Sequence, residues 1–122
     1  MENSQILKIF KNSEIAKPEN TGAFVVFVLG AGGAVPISGA TVKVYDSDKN
    51  LSEREPIIIL KSGEDGKTEK IYLLENSKIE IEAEHENYYL FKNKNILIYK
   101  NITCIQPVYL LPLPMECGEA LD

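Results

Sequence analysis

Three glutamates at alternate positions, Glu80, Glu82 and Glu84, followed by the only histidine, His85, are the residues whose types could support general acid–base chemistry. On an extended strand they share one face at intervals of about 6.5–7 Å. That spacing, with nothing nearby to raise a carboxyl pKa, predicts a solvated row in place of a catalytic pair. His85 follows the parity of Ile79, Ile81 and Ala83, so it is expected at the core-side rim, hydrogen-bonded, and not as a base or ligand.

Other constellations are equally incomplete. Cys104 and Cys117, with only His85 for company, lack the spacing of a zinc site, and they are read either as two free thiols or as one disulfide. Gly30, Gly32 and Gly33 follow an apolar strand as a phosphate-binding loop does. No Gly-Lys-Ser/Thr and no helical pattern come after them, so nucleotide binding is not expected. The oxygen-rich run Asp46-Ser47-Asp48-Lys49-Asn50 lacks the glycine and terminal glutamate of an EF-hand and reads as a polar hairpin connection. Lys92, Lys94 and Lys100 read as solvated loop and strand-edge charges. Accordingly no catalytic residue, metal ligand or cofactor is expected.

The aromatic residues offer a different chemistry. Tyr45, Tyr72, Tyr88 and Tyr89 are candidate ligand-binding residues, because aromatic faces stack on sugars and a phenol adds a polar handle. The competing reading places them singly along the core rim.

The elements that must position these groups are strands. Ala23 to Leu29 is apolar on both parities and predicts a central or doubly covered strand. A glycine-rich turn then leads through Pro36 into Ala40 to Asp46, where Ala40, Val42 and Val44 point inward and Thr41, Lys43 and Tyr45 outward. Further strands are expected over Pro56–Ser62, Thr68–Leu73, Ile79–His85, Ile96–Tyr99 and Cys104–Leu111. The Asp65-Gly66 step predicts a hairpin between the third and fourth strands. Asn87 is suited to a left-handed turn, and Pro107 marks the last strand as an edge, bulged or bent. About seven strands with turn signals every ten or so residues predict a single all-β domain, an antiparallel β-sandwich. Residues 1–21 form an N-terminal extension, with Ile6, Leu7 and Phe10 on a short helix or an edge strand before a linker. Residues 22–114 form the sandwich, and residues 115–122 a polar C-terminal tail.

A chain of 122 residues suits one domain, and 18 acidic against 13 basic residues give a net charge of -5. That balance opposes a nucleic-acid backbone, so no nucleic-acid partner is expected. No apolar run approaches the ~18 residues of a membrane span. The N-terminus has no secretory signal pattern, which makes the expected location cytoplasmic.

The motifs resemble a known group. Pro36-Ile37-Ser38-Gly39-Ala40-Thr41-Val42, the turn Asp65-Gly66-Lys67-Thr68 and the strand Ile81-Glu82-Ala83 ending near Tyr88 are similar to the carboxypeptidase regulatory-like, transthyretin-like (prealbumin-like) domains. Asn87-Tyr88 stands where that group carries Gly-Tyr. The closing stretch from Ile102 to Pro114 resembles the end of the accessory β-domain beside peptidoglycan-binding and spore cortex-lytic modules of spore-forming anaerobic bacteria. The resemblance implies a transthyretin-like Greek key and a spore or cell-envelope setting. Related surface sandwiches carry a Lys–Asn isopeptide crosslink that needs a buried lysine in the first strand, and Phe24 to Leu29 has none. Transthyretin-like hydrolases need several histidines and a particular C-terminal tetrapeptide, which one histidine and Glu-Ala-Leu-Asp do not supply.

The expected function is a non-enzymatic binding or spacer module. Its expected partner is a protein or a cell-wall polysaccharide, or a second copy joined through an edge strand. Sugar or small-ligand binding through the tyrosines is the alternative. An enzyme would require His85 to meet Cys104 or a carboxylate in one pocket.

Overall fold

Period-two patterning gives nine strands among the described residues of the computed structural model, which are 10–11, 19–47 and 55–114. They are β1 (Phe10–Lys11), β2 (Thr21–Gly30), β3 (Val35–Pro36), β4 (Thr41–Asp46), β5 (Ile58–Lys61), β6 (Ile71–Leu74), β7 (Lys78–Glu84), β8 (Phe91–Leu97) and β9 (Thr103–Tyr109). In the first sheet the order is β1-β6-β2-β3, with β9 also paired to β2; the second has the order β5-β4-β7-β8. The two sheets face each other as a sandwich. The expected all-β sandwich is therefore the observed one.

The core is built by alternate side chains. Phe24, Val26, Val28, Ile71, Leu73 and Val108 from the first sheet meet Val42, Val44, Leu60, Ile79, Ile81 and Ala83 from the second in one buried cluster. As expected, Ala40, Val42 and Val44 are fully buried, while Thr41, Lys43 and Tyr45 are half-buried on the outer face. β2 is central, as its two-sided apolar run requires. On one side it pairs with β6 and β3, and on the other with β9. The β2–β9 pairing is parallel over seven residue pairs, from Ala23 with Thr103 to Leu29 with Tyr109, whereas the other strand pairings described are antiparallel.

Several expectations are corrected. The Asp65-Gly66 turn is tight, with Gly66 at φ +84° and the Gly63 amide donating to the Lys67 carbonyl at 2.9 Å. It does not join paired strands. β5 lies in the second sheet and β6 in the first, and the chain crosses because β2 captures the far side of the turn. The Val28 amide donates to the Gly66 carbonyl at 2.7 Å, and the Thr68 amide to the Val26 carbonyl at 2.9 Å. Lys67 and Thr68 are thereby taken up by β2, and β6 starts only at Ile71.

The strand expected at Ile96–Tyr99 is β8, which starts five residues earlier at Phe91. Its Phe-Lys-Asn-Lys-Asn opening is polar because β8 is an edge of the second sheet, with only β7 beside it. Of the two N-terminal alternatives, Phe10 and Lys11 adopt the edge strand, paired with Tyr72 and Ile71. Ile6 and Leu7 lie outside the described residues. Beyond β9, Pro112 still contacts the second sheet's turn. It bridges Tyr88, the Tyr89 amide donates to the Leu111 carbonyl at 2.8 Å, and the Leu113 amide donates to the Asn87 carbonyl at 2.9 Å. This clasp ties the chain leaving the first sheet to the β7–β8 turn of the second. Asn87 has the expected left-handed conformation, φ +76°, and Asn20, Asn76, Asn95 and Asn101 share it.

Candidate functional site

Where β7 ends and β4 begins, Thr41, Glu84, His85, Glu86, Tyr88 and Leu90 line an open concavity of about 570 Å³. The left-handed Asn87 reverses the chain, and the Tyr88 amide donates to the His85 carbonyl at 3.1 Å. That reversal sets the imidazole edge-on to the phenol ring, with centroids 5.5 Å apart at 87°. His85 is half-buried, one residue beyond β7, and Nδ1 lies 2.8 Å from the Glu86 carbonyl oxygen, which accepts in the Nδ1–H tautomer. It is the hydrogen-bonded rim residue expected from its parity.

The nucleophile that this imidazole would need is elsewhere. Cys104 lies on β9 opposite Phe24 and packs against the core. Burial pushes its thiol pKa up, which disfavours the thiolate. The concavity has carboxylates beside the histidine but no cysteine among its lining residues. Cys117, and with it the question of a disulfide, lies outside the described residues, as do Asp48, Lys49 and Asn50 of the oxygen-rich run. Among the described residues, no group of three or more His, Cys, Asp or Glu side chains is arranged to hold a metal ion.

The glutamate row is not uniformly solvated. β7 is an inner strand of its sheet, so its outward side chains are roofed by those of β4 and β8. Glu80, beside a register shift between Ile79 and Ile81, is only 7% exposed. Glu82 accepts from the Tyr45 hydroxyl at 3.4 Å and pairs with Lys92 at 3.8 Å, while Glu84 pairs with Lys43 at 3.8 Å. Cross-strand partners thus take Glu82 and Glu84, a structural role for the ladder.

The four candidate tyrosines do not converge. Tyr45 is on the outer face of the second sheet and Tyr72 on that of the first. Tyr88 lines the concavity and also packs against the core, and Tyr89 is its exposed neighbour on the turn. Only Tyr88 and Tyr89 share a surface element.

A feature not singled out from the sequence is the outer side of β9 and its continuation. Ile105, Tyr109 and Leu111 are 56%, 51% and 66% exposed, whereas Val108 and Leu110 between them are buried. The alternation was legible; the missed signal was that no charged residue occurs from Ile102 to Pro114. Edge strands are ordinarily blunted by charge or proline. Here proline alone does it, since β9 pairs with β2 on one side and its other edge carries Pro107. The Ala23 amide donates to the Ile102 carbonyl at 3.0 Å and the Leu110 amide to the Leu29 carbonyl at 2.9 Å, so even-numbered residues of β9 turn their backbone groups toward β2. Pro107, at an odd position, therefore lacks its N–H on the outer edge, where it hinders a further strand from adding.

Comparison with known proteins adds the fold. The chain is similar to the minor pilin GBS52 of the Gram-positive pathogen Streptococcus agalactiae, with a TM-score of 0.59 and 14% identity over 80% of this chain and 47% of the pilin. It also matches the Bacillus anthracis TIE protein, with a TM-score of 0.45 and 14% identity over 77% of this chain and 17% of that one. The chain thus spans less than half the length of either. No family model matches the chain, and no curated protein matches it. Among the described residues no helix is long and apolar enough to cross a membrane.

Proposed function

We propose that the chain is a non-enzymatic β-sandwich module of a cell-surface or spore-envelope assembly, binding another envelope component through the outer side of β9. The observation that carries this reading is the charge-free stripe of Ile105, Tyr109 and Leu111 on an otherwise acidic chain. Exposed apolar side chains in a row mark contact surfaces more often than single ones do. The separation of Cys104 from the His85 concavity supports the non-enzymatic part, and the pilin-like fold is compatible with a surface setting.

The test is cosedimentation of the purified chain with cell-wall and spore-envelope fractions, beside an Ile105→Glu/Leu111→Glu variant with an unchanged thermal midpoint. The wild type is expected in the pellet and the variant in the supernatant. Equal sedimentation of both removes the stripe from the contact, and absence of both from the pellet removes the envelope partner. Analytical ultracentrifugation of the same pair reads self-association, the expected alternative in which a second copy is the partner.

A further inference from the structure

We infer that the sandwich is built to carry tension along its chain, resisting extension through the parallel pair β2–β9. This resistance is a mechanical property of the strand pair and stands apart from the identity of any partner. Beyond the two-residue edge strand β1, which pairs only with β6, the chain enters β2 at Thr21 and leaves β9 at Tyr109. Because these strands run parallel, Thr21 and Tyr109 lie at opposite ends of the pair. Pulling the flanking chain apart therefore slides one strand along the other. Every hydrogen bond between them is strained together, whereas an antiparallel terminal pair would open one bond at a time.

The pair is well made for such shear. Its seven register positions run without a shift, giving about eight backbone hydrogen bonds by the evenly spaced parallel pattern. Pro107 removes none of them, because its missing N–H faces the outer edge. The inward side chains of the pair, Phe24, Val26, Val28 and Val108, are fully buried, which keeps water from replacing the strained bonds. β2 cannot simply follow the pull, since its other edge is held by β6 at Thr21–Phe24, by Thr68 at Val26 and by β3 at Leu29–Gly30. At the exit, Leu111 and Leu113 are bonded to the β7–β8 turn, so the second sheet shares the anchorage.

The test is single-molecule force spectroscopy on the full chain pulled in two directions. Handles at Glu19→Cys and Pro114→Cys load the pair in shear. Handles at Glu19→Cys and Lys100→Cys pull on the same end of the pair and peel it. All three positions are exposed, and both versions carry Cys104→Ser and Cys117→Ser. The expected result is a severalfold higher rupture force in shear than in peeling, at equal thermal midpoints. Equal forces, or a stronger peeling direction, overturn the inference. If the cysteine-free background loses cooperative unfolding, the wild-type chain is pulled end to end between two marker domains. One brittle rupture per chain, with a force rising steeply with pulling speed, supports the shear clamp, and gradual low-force lengthening overturns it.

Discussion

Removing a single oxygen atom from Ser62 is expected to cost more than its size suggests. The side chain is 5% exposed, and its hydroxyl donates to the Ile37 carbonyl at 2.7 Å while accepting from the Ala40 amide at 2.9 Å. These bonds hold the approach to β4 against the exit from β5, where the chain prepares to cross between sheets. In Ser62→Ala both backbone groups lose their side-chain partner in a buried place. Each such orphan costs about 1–3 kcal/mol, so the sum is about 2–4 kcal/mol after partial relaxation. Against a stability of roughly 0.05–0.15 kcal/mol per residue, that is a large share for one atom. With a urea m-value of about 1–3 kcal/mol/M, the midpoint should fall by about 1–2 M at unchanged m. Ser38→Ala, at an exposed neighbouring position, is the control and should shift stability by less than about 0.5 kcal/mol. A Ser62→Ala midpoint indistinguishable from that of the control would refute the reasoning.

Other perturbations separate close packing from surface charge. A Cβ at Gly22 would collide with the Tyr99 carbonyl oxygen and the Ile98 side chain, so Gly22→Ala should destabilise by about 1–3 kcal/mol or more. Calorimetry should then show a thermal midpoint lowered by several degrees, and an unchanged midpoint would contradict the close approach. Lys92→Ala removes an exposed partner of Glu82, and its effect in urea denaturation should stay within about 0.5 kcal/mol. Burial pushes the Cys104 thiol pKa up, so in a Cys117→Ser background its alkylation by iodoacetamide should follow a pH profile displaced upward from that of the urea-unfolded chain. Because the folded pKa is the higher one, the associated stability is full below the unfolded thiol pKa and lost as pH rises through the folded one. Coincident folded and unfolded profiles would contradict the burial.

Strand positions were legible where one side chain in two was plainly apolar. Ala40, Val42 and Val44 on β4, and Ile79, Ile81 and Ala83 on β7, fall on the core as their alternation requires. β8 was only partly legible because an edge strand with Lys92 and Lys94 does not need an apolar face along its whole length. Sheet membership was not legible at all between β5 and β6: a tight Asp-Gly turn looks the same locally whether it folds a strand back or sends it across. The parallel β2–β9 pair joins segments remote in sequence, which period and propensity do not report. The burial of Glu80 within the outward row was hidden for a related reason, since its cover comes from neighbouring strands. At the candidate site, the rim position of His85 followed from parity, whereas the outward face of β9 stood out only once Ile105, Tyr109 and Leu111 could be seen uncovered side by side.

The remote closure of β2 by β9 also sets an order of events during synthesis. Ala23 pairs with Thr103, 80 positions further on (103 − 23), so the central strand emerges long before its last neighbour exists. Loop-closure entropy must be met before that contact gives anything back, which places this chain among slow-folding topologies. Until β9 arrives, Phe24 to Leu29 presents a bare apolar margin to other nascent chains. A ribosome pausing before residue 103 therefore holds the molecule at its most aggregation-prone stage, and the emergence of β9 is what seals it.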